Sequence, residues 1–162
     1  MNTLASNQFS FKNVLKGVAL SSLALSLSGC GGTDIQFPIK VGQNIESITK
    51  GFNDNYYVTV MNGSVDGDAE LVEISKDGTL KVFAKGFNEP KGIAYVGGNL
   101  YFSDVTRVWK VDKDGNTSIF ADKGDFPHDV LYLNDVSADG EGKGIYVADM
   151  GDTKFMRDAS GN

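Results

Sequence analysis

From Asn44 onward, short runs in which apolar and polar residues alternate are punctuated by glycine and aspartate, a period of two that predicts strands rather than helices. The runs Tyr56-Tyr57-Val58-Thr59-Val60, Leu100-Tyr101-Phe102-Ser103-Asp104 and Ile145-Tyr146-Val147-Ala148-Asp149 repeat one phrase at a spacing of roughly 45 residues. The surrounding pieces recur in the same order. The first unit runs Ile45 to Ile48, Tyr56 to Met61, Glu70 to Ile74 and Thr79 to Phe83; the second runs Lys91 to Ala94, Leu100 to Asp104, Val108 to Val111 and Thr117 to Phe120. A third opens at Leu133-Asn134-Asp135-Val136 and continues into Ile145 to Asp149. Asp77-Gly78 and Asp114-Gly115 fall at matching places, where glycine supplies the positive φ that a tight hairpin demands. The alternation in Leu71-Val72-Ile74 and in Val108-Trp109-Val111 predicts one buried and one wet face.

These features predict an all-β chain with the blade period of a β-propeller of antiparallel four-stranded blades, at about 44–87, 88–127 and 128–162. A β-sandwich would use similar strands, but it does not predict self-similarity at this period. About two and a half blades are visible, and propellers close with roughly four to eight. The expectation is therefore an incomplete propeller: a fragment, a truncated product or part of an assembly, with sheet edges prone to aggregate.

Residues 1–29 read as a signal peptide, because Lys12 and Lys16 precede an apolar stretch from Val18 to Leu27 that is too short for a permanent span. Ser28-Gly29-Cys30 resembles the lipobox of bacterial lipoproteins. That resemblance implies cleavage before Cys30, acylation of the cysteine, and anchorage to a membrane through several acyl chains. Residues 30–43 then read as a lipid-anchored tether. The expected location is the bacterial cell envelope, on the periplasmic side of the outer membrane or the outer face of the cytoplasmic membrane. Once lipidated, the single cysteine leaves none for a disulfide.

Loss of the leader removes two lysines and no acidic residue, so 13 basic and 21 acidic residues remain, a net charge of minus eight. Such a surface is unsuited to phosphate backbones and argues against nucleic acid as a partner. It is compatible with a divalent cation.

Aligning the units places Glu46, Lys91 and Asn134 in one column, each just before the apolar residues of a first strand. In a propeller that position faces the axis, so Glu46 and Asn134 would offer a carboxylate and an amide oxygen to a shared space, as Ca²⁺ prefers. Lys91 would bring a positive charge there or turn to the rim. Each has a plainer reading: Glu46 as an exposed loop carboxylate, Asn134 as the start of an Asx turn. Asp135 fits a turn cap as well as a pocket, and Asp104 and Asp149 fit loop roles at matching strand ends. His128, the single histidine, could face a pocket mouth or be structural. Asp66-Gly67-Asp68-Ala69-Glu70 and Asp112-Lys113-Asp114-Gly115-Asn116 lack the spacing of an EF-hand loop. No phosphate loop ending in Gly-Lys-Ser/Thr and no serine elbow is present.

On the phrases around Glu46 and around Asn134, from roughly Asn44 to Met156, the sequence resembles the regucalcin/gluconolactonase family of six-bladed propellers, which is related to NHL-repeat propellers. The resemblance implies a catalytic Ca²⁺ held by a first-blade glutamate, asparagines opening the third and fourth blades, and an aspartate from the fifth. Glu46 matches the first of these and Asn134 the third-blade asparagine; the later ligands have no counterpart in the sequence. The implied function is a calcium-dependent hydrolase of lactones or related esters, expected to be inactive as this chain alone. The alternative is a non-enzymatic propeller that binds a protein or a carbohydrate in the cell envelope.

Overall fold

β-Branched and aromatic residues at alternate positions, broken by Asp-Gly turns, draw the chain into ten antiparallel strands in the computed structural model, which describes residues 38–63 and 65–151. Strands β1 (Ile45–Lys50), β2 (Tyr56–Val60), β3 (Ala69–Ile74) and β4 (Leu80–Phe87) make a first four-stranded meander. A second is built from β5 (Pro90–Val96), β6 (Asn99–Asp104), β7 (Arg107–Val111) and β8 (Thr117–Ala121). The third sheet pairs β9 (Leu133–Ala138) with β10 (Ile145–Asp149). The all-β reading and the four-stranded antiparallel units are thus observed, and the strands lie where the sequence predicts them. The sheets do not close into a ring among the described residues. Nor do those residues contain an α-helix, or any helix long and apolar enough to cross a membrane.

The repeat is kept in register as well as in order. Ile48 pairs with Val58, Ile93 with Phe102, and Val136 with Val147. Tyr57, Tyr101 and Tyr146 therefore occupy equivalent positions on the second strands. Both Asp-Gly turns close in the same way: Ser75 N–H donates to the Thr79 carbonyl as Asp112 N–H does to that of Asn116, with Gly78 and Gly115 at φ of 84° and 82°. Different side chains lock the two turns. Asp77 accepts from the Ser75 hydroxyl and the Thr79 amide in one, whereas Asp112 accepts from the amides of Asp114 and Asn116 in the other.

The sheets pack through their first strands, β1 against β5 and β5 against β9, so their entry points lie side by side. Between the first two sheets, Tyr57, Leu71, Ala84 and Phe87 meet Ile93, Leu100, Phe102 and Val111. Phe87 stands edge-on to Phe102 with ring centroids 4.8 Å apart, an arrangement the ring quadrupoles favour. The expectation of one wet face fails in the first sheet: Leu71 and Val72 point to opposite faces and both are buried, because Ile39 and Val41 pack over Val58, Val60, Val72 and Ile74. Strand β4 runs on to Phe87 rather than ending at Phe83, since Ala84 and Phe87 belong to the intersheet core. Phe120 and Tyr146, aromatic residues on strands β8 and β10, are exposed.

Candidate site at the entry of the first strands

Each first strand begins irregularly. In β1 the pairing jumps from Ile45 to Ser47 and leaves Glu46 as the extra residue of a bulge; in β5 it jumps from Pro90 to Ile93 across Lys91 and Gly92. A hydroxyl from the preceding sheet anchors the carbonyl at this point. Thr59 Oγ1 donates to the Lys91 carbonyl at 2.8 Å, and Ser103 Oγ, its equivalent one sheet later, donates to the Asn134 carbonyl at 2.5 Å. Both hydroxyl residues are fully buried. The column of Glu46, Lys91 and Asn134 read from the sequence is therefore a structural column, held by the same bond at two successive interfaces.

The side chains of that column differ in setting. Glu46 is exposed and borders an apolar cavity of about 340 Å³ lined by Ile39, Val41, Ile45, Ile48, Val58 and Ile74. Asn134 is half-buried. Lys91 is half-buried too, its Nζ 5.6 Å above the centre of the Tyr132 ring and 3.3 Å from Met61 Sδ. Asp135 lies exposed on β9 and its Oδ1 accepts from the Val136 amide at 2.9 Å, which is the capping role. His128 is exposed and lines a separate cleft of about 270 Å³ with Phe126, Pro127, Asp129, Val130 and Leu133; neither Lys91 nor Asp135 borders it.

Two residues of this region escaped the sequence reading. The Tyr132 hydroxyl donates to Glu89 Oε2, and its acidity is suppressed by burial first, then by that bond and by the negative charges of Glu89, Glu46 and Asp104. The phenol is thus kept protonated. Asn44, Glu89 and Tyr132 form their own column two residues ahead of Glu46, Lys91 and Asn134, a signal available in the repeat but hidden by three dissimilar side chains.

Matching aspartates brace the loops that lead in. Asp104 accepts from the amides of Asn88 and Glu89 and from the Trp109 indole, and Asp149 accepts from those of Leu131, Tyr132 and Gly151. These bonds hold the Asp149 carboxyl below its usual range, the Gly151 amide contributing most. Both carboxylates are committed to backbone amides, with the Trp109 indole as a further donor to Asp104, the loop role expected of them.

The chain matches no protein-family model, and no curated protein matches it. The chemistry of the site is therefore read from its own residues.

Among the described residues, no three His, Cys, Asp or Glu side chains are grouped as they would be around a metal ion. Glu46 and Asn134 offer at most three side-chain oxygens of the six to eight that Ca²⁺ takes, so on their own they do not complete such a site. Cys30 and its proposed lipidation lie outside the described residues, as do the signal peptide and most of the tether.

Proposed function

We propose that residues 44–151 are successive blades of a β-propeller of the regucalcin/gluconolactonase type, in which Glu46 and Asn134 are two ligands of a shared Ca²⁺ site. The supporting observation is the pair of equivalent hydroxyl-to-carbonyl bonds, Thr59 to Lys91 and Ser103 to Asn134, which sets successive first strands at the same depth. A cation bound there supplies Lewis-acid polarisation of a lactone or ester carbonyl. The residues in hand contribute the anionic Glu46, the Asn134 amide, and a protonated Tyr132 hydroxyl already committed to Glu89. We assign the protein to the cell envelope, anchored through lipidated Cys30.

Lys91 favours a second reading. Its ammonium occupies the strand between the two oxygen donors and opposes a cation, as in a non-enzymatic propeller that binds a protein or carbohydrate ligand. Titration calorimetry with CaCl₂, on a propeller completed with the later blades that the family reading requires, separates the two. Binding in the micromolar to millimolar range that is lost in Glu46→Gln, together with hydrolysis of a simple lactone, supports the lactonase reading. No heat at millimolar Ca²⁺ rejects it in favour of the binding module.

A further inference from the structure

Lys91 brings the ammonium of the column, and no carboxylate holds it among the described residues. The ion pairs found there join solvent-facing side chains, Lys50 and Lys76 to Asp54, Arg107 to Asp122, Lys113 to Asp114 and Lys143 to Glu141, and none includes Lys91. Glu89, two residues earlier, is taken by the Tyr132 hydroxyl. The half-buried Lys91 ammonium has instead the Met61 thioether, with Sδ 3.3 Å from Nζ, and the face of the Tyr132 ring. A thioether is a weak acceptor for an ammonium that carries three donors, so this charge is partly withdrawn from water without a strong partner. Met61 itself is well fixed. It is half-buried just past β2, and its amide donates to the Asn44 carbonyl at 3.2 Å, which holds it beside the entry of β1. Met150 is the other methionine among the described residues, and among them its sulfur makes no such bond.

We infer that Met61 is an oxidation site whose sulfoxide captures the Lys91 ammonium. The oxidant is hydrogen peroxide. A sulfur lone pair attacks one peroxide oxygen, the S–O bond forms as the O–O bond breaks, and the proton of the attacked oxygen passes to the departing hydroxide, which leaves as water. Sulfur is oxidised by two electrons and the peroxide is reduced. Lys91 keeps its protons throughout, and its N–H groups are placed to donate to the departing oxygen and then to the new sulfoxide oxygen. That oxygen is a strong acceptor attached to an atom already at hydrogen-bond distance from Nζ, so a weak contact becomes a charge-assisted bond. The change is reversible, because methionine sulfoxide is a substrate of dedicated reductases. The position and reactivity of the ammonium between Glu46 and Asn134 thus follow the oxidation state of Met61. Nothing in this depends on whether Ca²⁺ or another ligand occupies the region.

The test is mild treatment of the folded protein with hydrogen peroxide, then brief acetylation of its lysines and peptide mass spectrometry, with Trp109 fluorescence reporting that the fold is kept. Met61 should gain one oxygen, and acetylation of Lys91 should then fall by about fivefold or more relative to the exposed Lys81. Methionine sulfoxide reductase should restore it. In Met61→Leu, acetylation of Lys91 should not respond to peroxide. Met61→Gln sets a carbonyl oxygen near the place of the sulfoxide oxygen, and should protect Lys91 without any peroxide. Complete oxidation of Met61 with Lys91 acetylated as before overturns the inference, and so does oxidation of Met150 while Met61 stays reduced. The readout uses no Ca²⁺, so either result leaves the metal reading to its own titration.

Discussion

Gly92 and Val136 approach so closely that a Cβ on Gly92 would lie 2.3 Å from the Val136 amide nitrogen, and 2.6 Å from the Asp135 Cα. The obstacle is backbone, which cannot swing aside, so the spacing between β5 and β9 depends on this glycine having no side chain. Gly92→Ala is expected to destabilise the fold by roughly 2–3 kcal/mol. Urea denaturation checks this; a midpoint within error of the parent would show that β9 can shift freely.

Thr59 is a two-way link, accepting from the Ser47 amide at 3.0 Å and donating to the Lys91 carbonyl at 2.8 Å while fully buried. Thr59→Val keeps the shape and strands both partners. The expected loss is about 1–3 kcal/mol. Ser103→Ala removes the corresponding donor at the next interface, and hydrogen exchange should show the amides around Asn134 losing protection first.

Acid should loosen the Asp-Gly turns. Hydrogen bonds from the Ser75 hydroxyl and from Thr79 hold the Asp77 carboxyl down to about 2, against an ordinary value of 3.8. A carboxyl depressed by folding stabilises the fold above its unfolded pKa and loses that contribution as pH falls through the folded value, so the window runs from about pH 4 to pH 2. Asp112 is depressed as well, chiefly by the Asn116 side chain. Asp77→Ala should be less stable than the parent at pH 7, with the gap narrowing across that window. A gap independent of pH would assign the effect to something other than ionisation.

If Glu46 and Asn134 bind Ca²⁺, the Lys91 ammonium opposes it. Lys91→Met should tighten binding by about tenfold, through loss of like-charge repulsion at partly screened range. Unchanged or weaker affinity in calorimetry would place the Lys91 side chain away from the ion.

Cys30→Ser should release the protein from the membrane fraction and abolish incorporation of labelled palmitate. Retention of the variant in washed membranes would remove the lipoprotein reading.

The strands, their order and the turns were legible in the sequence because alternation and Asp-Gly chemistry act over a few residues, and the repeat at Tyr57, Tyr101 and Tyr146 aligned one unit with the next. The column of Glu46, Lys91 and Asn134 could be read in the same way. Its surroundings could not. The Tyr132–Glu89 bond, the burial of Val72 beneath Val41 and the exposure of Tyr146 depend on which sheet lies against which face. A side chain's position along a strand is set locally by the pleat, but whether it meets water or another sheet is decided by packing between segments distant in the chain, and only the tertiary structure determines that.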